Sequence, residues 1–134
     1  MSICGIRPFL ACGAALYLQA CIVIADDSDP PVGTLTVEWS IDGQQNPSDC
    51  SAFHVDRLEL LLYTGLDQLV DQVEPICESF SVSVDLLDGR YEADATLVDS
   101  FDRAATVTQT VYAIDVIQGT DFVVGIDFPI GTFL

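Results

Sequence analysis

Lysine is absent from all 134 residues, and arginine occurs only four times, at Arg7, Arg57, Arg90 and Arg103. Set against 21 aspartates and glutamates, this leaves a formal net charge of −17. A polyanion is bound through a basic footprint, and none is present, so nucleic acid is excluded as a partner. Docking on anionic lipid through a basic patch is excluded for the same reason. Histidine occurs once, as His54. The chain also has no G-x-S-x-G elbow, no H-E-x-x-H, no P-loop and no G-x-G-x-x-G. Each of those motifs sets a nucleophile, a metal or a phosphate cradle in a defined context. Without convergent polar groups in such roles the chain reads as non-catalytic, and no cofactor is expected.

Apolar residues make up 50 % of the chain and charged residues 19 %. That is enough apolar surface to offset chain entropy, so a wholly disordered chain is excluded. The length suits one domain of common size.

The first 25 residues contain no acid, and all 21 acids fall at or after Asp26. Arg7 precedes an apolar run from Phe9 to Leu18, the pattern of a secretory signal. The run leads into Leu18-Gln19-Ala20-Cys21. This tetrapeptide resembles the lipobox of bacterial lipoproteins: an aliphatic residue at −3, a small one at −1, then the cysteine that receives lipid. Gln19 departs from the small or hydroxyl residue usual at −2. The resemblance implies a signal peptide over 1–20 and Cys21 as the lipidated N-terminus. Ile22, not aspartate, follows that cysteine, which in the family favours sorting to an outer membrane. Two other readings compete. Val23-Ile24-Ala25 fits an ordinary signal-peptidase cut that would release a soluble protein. Phe9–Ala25 could instead stay as a membrane span, but its 17 residues sit at the short limit and Gln19 interrupts it. Residues 21–31, acidic and bearing Pro30-Pro31, read as a tether, and the folded domain is expected over 32–134.

Five cysteines sort by position. Cys4 and Cys12 would leave with the signal, and the lipid claims Cys21. Cys50 and Cys77 remain, and an exported chain meets an oxidising compartment, so a Cys50–Cys77 disulfide is the economical reading. A metal held by Cys50, His54 and Cys77 is the rival. Neither cysteine belongs to a C-x₂-C pair, and structural zinc favours such closely spaced pairs, so no metal site is expected.

Period-2 alternation dominates from Gly33 onward. Leu35, Val37, Trp39 and Ile41 share one parity against Thr34, Thr36, Glu38 and Ser40. This predicts a half-buried antiparallel strand with Trp39 in the core. Asp42-Gly43 signals a turn and Gln44–Ser51 a loop. Strands are expected over Val55–Tyr63, within Leu66–Val73, and over Phe80–Leu86. Another is expected from Tyr91 through Ala93, Ala95 and Leu97. Over Ala104–Ile117 the phase slips, which predicts a bulge near Val111. Phe122, Val124, Ile126 and Phe128 mark the last strand. No amphipathic helix and no internal repeat is evident.

Leu87-Asp88-Gly89-Arg90-Tyr91 resembles the turn that opens a central strand in immunoglobulin-like and transthyretin-like sandwich modules. The resemblance implies that Tyr91 is structural, its hydroxyl bonding back to turn backbone. It implies an architecture and no function.

With so many carboxylates, a catalytic dyad cannot be read from spacing. His54 follows Phe53 at a loop–strand junction and is expected to be exposed or capping. Calcium is the more serious ligand, through Asp26, Asp27 and Asp29, or Asp85 and Asp88, or Asp99 and Asp102. No EF-hand pattern occurs, and an acidic solvated surface explains the same residues. Trp39 with Tyr63, Tyr91, Phe101, Tyr112, Phe122 and Phe128 could supply a carbohydrate platform, but Trp39 shares parity with Leu35 and Val37, which favours core burial.

The expected fold is all-β: a single antiparallel Greek-key-like sandwich of about seven strands with one disulfide. The expected function is that of a non-catalytic, lipid-anchored envelope protein. It would hold the membrane through its N-terminal lipid and meet an unidentified envelope partner. A soluble secreted ligand- or calcium-binding module, and a secreted hydrolase, are the alternatives.

Overall fold

The structure, a computed structural model, describes residues 30–134. The signal peptide, Cys21, Ile22 and all but the last two tether residues lie outside the described residues.

Seven strands run in the order β1 (Val32–Ile41), β2 (Arg57–Thr64), β3 (Leu69–Val73), β4 (Ser81–Leu87), β5 (Gly89–Val98), β6 (Gln109–Val116) and β7 (Asp121–Phe128). A short helix α1 (Pro47–Ala52) separates β1 from β2, and 3₁₀ turns occupy Cys77–Ser79 and Ile130–Thr132. The strands form a three-stranded sheet, β4-β1-β7, and a four-stranded sheet, β3-β2-β5-β6. Both β1→β2 and β4→β5 cross between sheets, while β1 pairs with β4 and β2 with β5. The two crossings therefore interlock the sheets. Among the described residues the all-β, seven-stranded sandwich with one disulfide is the observed fold.

One pairing departs from the antiparallel expectation: β1 and β7 run parallel, Thr34 opposite Asp121 through Ile41 opposite Phe128. The connections dictate it. The β6–β7 turn closes beside the start of β1, with Gly119 N–H donating to the Val32 carbonyl at 3.0 Å. Strands that start at the same end must run the same way. We call this the near end, because the chain enters here; the β2–β3 and β4–β5 turns share it. The far end carries α1, the Cys77–Ser79 turn, the loop after β5 and the C-terminus.

The core follows the parities of the sequence. Leu35, Val37, Trp39 and Ile41 face Leu58, Leu60, Leu62, Ala93, Ala95 and Leu97, all at most 1 % exposed. At roughly 1.5–3 kcal/mol for each fully buried large side chain, such facing rows supply the main driving force for the sandwich. Two expectations, one of a loop and one of a strand, need correction. The Gln44–Ser51 loop holds α1, which Asn46 caps by accepting the Ser48 N–H at 3.1 Å, with Pro47 at the first turn. The long strand over Ala104–Ile117 shrinks to Gln109–Val116. Upstream of it, Thr106 is buried and its hydroxyl accepts the Leu97 N–H at 3.1 Å, while Ala105 N–H donates to Leu97 O at 2.7 Å, so a side chain takes one of the two ladder bonds there. The phase slip is a bulge: between Tyr91↔Ile114 and Ala93↔Val111, Tyr112 and Ala113 oppose Glu92 alone. Ala113 takes a left-handed φ of 58° to make it.

Candidate functional site

The disulfide joins Cys50 of α1 to Cys77 of the 3₁₀ turn, and both cysteines are fully buried. Above it α1 ends in a cap that uses the histidine backbone. His54 takes φ 59°, its N–H donates to Ser51 O at 3.1 Å, and Val55 N–H donates to Cys50 O at 2.7 Å. Those paired bonds are a Schellman closure, with histidine in the left-handed place that glycine commonly fills. The His54 side chain is exposed.

Arg57 opens β2 at the same end and gathers carboxylates from three directions. Its Nε donates to Glu74 at 2.6 Å and its Nη1 to Asp56 at 3.3 Å, while Nη2 donates to Asp102. Nη1 also reaches the Asp99 carbonyl at 3.4 Å. The guanidinium is held further above its ordinary range, first by Glu74 and then by Asp102. In return Arg57 is the chief cause that holds the Glu74 carboxyl below its ordinary value.

Asp99 organises the loop after β5. One carboxylate oxygen accepts the Phe101 and Arg103 backbone N–H groups, both at 2.9 Å, and the other accepts Arg103 Nε at 3.1 Å. The Arg103 backbone bond leads the causes that keep Asp99 below the ordinary carboxylate range. Arg103 lies over the ring of Phe101, 5.1 Å from its centroid, and that ring is 75 % exposed.

Between this loop and α1 lies an open groove of about 450 Å³, lined among others by Ser51, His54, Asp56, Asp99, Phe101 and Arg103. Its charged groups are spent on structure: both Asp99 oxygens hold their own loop, and Asp56 is bound to Arg57. The disulfide sulfurs lie beneath it, out of solvent contact. A serine, a histidine and an orienting acid are near one another, but no hydrogen bond links them into a relay.

The remaining sequence candidates scatter. Trp39 is buried, its Nε1 donating to Cys77 O at 3.2 Å and its ring 6.3 Å from that of Phe80. Tyr91 is buried at the near end, its hydroxyl donating to Leu87 O at 2.7 Å. Of the calcium pairs, Asp85 accepts from Thr34 at 3.1 Å, Asp99 caps its loop and Asp102 pairs with Arg57. Asp26, Asp27 and Asp29 lie outside the described residues. Among the described residues no three His, Cys, Asp or Glu side chains converge as metal ligands would. Arg57 and Glu74 are the polar residues that sequence reasoning missed. A chain with so few cations makes any arginine a magnet for carboxylates, but beyond the adjacent Asp56 the ones that gather lie 17 and 45 positions away.

No family model matches this chain, and neither does any curated protein. Among solved structures it is similar to a leucine-rich repeat protein from Bacteroides thetaiotaomicron, at 16 % identity and a TM-score of 0.39. That alignment covers 76 % of this chain and 14 % of the other. A likeness of that size bears on neither activity nor partner.

Proposed function

We propose that the protein is a non-catalytic, lipid-anchored component of a cell envelope whose sandwich domain serves as an interaction module. The observation that carries this reading is Leu18-Gln19-Ala20-Cys21 at the end of an apolar run that follows Arg7. The buried Cys50–Cys77 bond supports it, since structural disulfides belong to oxidising compartments. An anchor at Cys21 joins the domain through the tether at Val32, on the near end. The far end of the domain, with its disulfide, arginine cluster and groove, lies about 30 Å from that point of attachment, the length of a ten-residue strand.

Metabolic labelling with a fatty acid tests the anchor. The chain should take up label and partition into detergent, and Cys21→Ser should abolish both. One acyl chain binds membranes only marginally, so at least two are expected on the mature N-terminus. Unlabelled wild type, or undiminished partitioning of Cys21→Ser, would overturn the reading.

A further inference from the structure

Among the described residues most strand aspartates on the outer faces are engaged, on the four-stranded sheet Asp94 by Thr110 at 2.7 Å and Asp115 by Arg90 at 2.8 Å, whereas Glu38, Glu59 and Glu92 receive no side-chain hydrogen bond. On the three-stranded sheet each aspartate is engaged by a hydroxyl of its neighbour strand. Thr34 donates to Asp85 at 3.1 Å, Thr36 to Asp121 at 2.9 Å and Ser40 to Asp127 at 2.7 Å. On the four-stranded sheet Glu92 receives no side-chain hydrogen bond or ion pair among the described residues, and it sits between two tyrosines. Tyr63 of β2 is its direct register partner, and the β6 bulge sets Tyr112 opposite it on the other side. Tyr63 and Glu92 alternate with the inward, buried Leu62, Tyr91 and Ala93, and Tyr112 follows Val111, which packs on the core, and is itself exposed, so all three belong to the outer face. Leu69 extends the row on β3 as the partner of Tyr63. Tyr112 is 67 % exposed and Leu69 53 % exposed.

From this row we infer that the outer face of the four-stranded sheet docks a basic polypeptide segment, which Glu92 meets as counter-ion while Tyr63 and Tyr112 flank the bound cation. The inference rests on the reading of the domain as an interaction module and names the chemistry of its partner. Charge complementarity carries it. The chain has net charge −17 and no lysine, and each arginine in the described residues is already bonded to a carboxylate of its own domain. Among the described residues every arginine is thus occupied, and the net charge gives a large field with which to attract a basic partner. The spacing suits the chemistry. Strands about 4.8 Å apart put Tyr63 and Tyr112 roughly 10 Å apart across Glu92. A cation above Glu92 would sit about one strand spacing from the strands that carry Tyr63 and Tyr112, within the reach of cation–π attraction from their side chains. Tyrosine side chains also lose little conformational freedom on binding, which is why they recur as interface anchors.

The test uses the full-length chain in neutral detergent and a fluorescent octapeptide alternating lysine and threonine, with a glutamate–threonine peptide as control. Only the basic peptide should bind, and binding should fade between about 0.05 M and about 0.5 M salt as screening shortens. Tyr112→Ala should weaken it about three- to ten-fold, and Tyr112→Phe should restore most of that, because a phenyl face still attracts cations. Glu92→Gln should weaken it by at least as much. Asp85→Asn removes the same charge from the opposite face and should change the affinity less than two-fold. Equal losses from Glu92→Gln and Asp85→Asn would reduce the effect to bulk charge and overturn the assignment, as would full affinity in Tyr112→Ala. Spermine that displaces the peptide equally from wild type and Tyr112→Ala would show a general cation sink and overturn it too. A chain without fatty-acid label that still binds the peptide sinks the anchor alone; a labelled chain that ignores the peptide sinks this inference alone.

Discussion

The two ends of the sandwich are fastened by different chemistry. The near end is closed by backbone. Pro31 O accepts from Asp88 at 2.8 Å, Val32 O from Gly119 and Thr120 O from Thr34 at 2.9 Å, and one phenol, Tyr91, ties the β4–β5 turn to its strand. The far end has longer connections to hold. A covalent bond joins α1 to the 3₁₀ turn, and one guanidinium draws together Asp56, Glu74 and Asp102. Short turns satisfy their own hydrogen bonds and need little else. Excursions such as residues 42–56 and 74–80 bury few apolar side chains, so cross-links and ion pairs take over. Near-end stability should therefore depend on packing, and far-end stability on redox state and on acid.

The largest expected effect lies at the near end. Tyr91→Ala empties a buried aromatic site and should cost about 3–5 kcal/mol. Tyr91→Phe removes only the hydroxyl bonded to Leu87 O and should cost about 0.5–1.5 kcal/mol. Equilibrium denaturation measures both; an unmoved midpoint in Tyr91→Ala would break the packing account. Next comes the far-end cross-link. Cys50 and Cys77 are 27 positions apart, and the chain-entropy relation for a loop of that size gives about 3.5 kcal/mol lost on Cys50→Ala/Cys77→Ala. Reductant added to the denatured wild type should cost about the same and leave the double variant untouched. A smaller near-end effect belongs to Gly33. A Cβ there would overlap the Ile117 carbonyl oxygen and crowd Val116 Cγ1 at 2.9 Å. Gly33→Ala should cost about 1–3 kcal/mol, as overpacking does, because backbone cannot yield as a side chain can. A variant as stable as wild type would show that the turn over β1 gives way freely.

These ends also differ in how far they could be foreseen from residues alone. At the near end the signals are local. Leu87-Asp88-Gly89-Arg90-Tyr91 spans five positions, and the bond it foretells, Tyr91 to Leu87, spans four. Strand parity was legible for the same reason, since burial every second residue is written into neighbouring positions. The cysteine pairing was legible through elimination rather than geometry. The helix α1 was not, although Asn46-Pro47 is a sound start signal, because six residues are too few for a helical period to show. The parallel β1–β7 pair depends on which sheet each connection crosses to, and no local pattern encodes that. The bulge was foreseen near Val111 and falls at Tyr112–Ala113, yet the row it builds with Tyr63 needs the register of three strands. Arg57 shows the limit most plainly: its partners are ordinary acids among many, selected by the fold.

The smallest and most discriminating expectation is that the two ends fail at opposite limits of pH. At the far end Glu74 and Asp99 titrate below the ordinary carboxylate value, chiefly through the Arg57 bond for the first and the Arg103 backbone N–H for the second. A carboxyl depressed by folding binds fewer protons in the native state than in the unfolded one, so its contribution is complete above the unfolded value of about 4. It is lost as pH falls through that value toward the depressed ones. At the near end burial, with the nearby Asp88 charge second, pushes the Tyr91 phenol above its ordinary value. That group favours the native state while the phenol is protonated, and its contribution fades as pH rises past about 10. Denaturation midpoints measured across pH should thus show an acid limb that Glu74→Gln and Asp99→Asn flatten, and an alkaline limb that Tyr91→Phe flattens. Asp99→Asn is the cleaner probe, because an amide oxygen can still accept the Phe101 and Arg103 N–H groups while losing the charge. Should Asp99→Asn leave the acid limb as steep as in wild type, the loop after β5 is held by geometry alone and the contrast between the ends narrows to the Arg57–Glu74 pair.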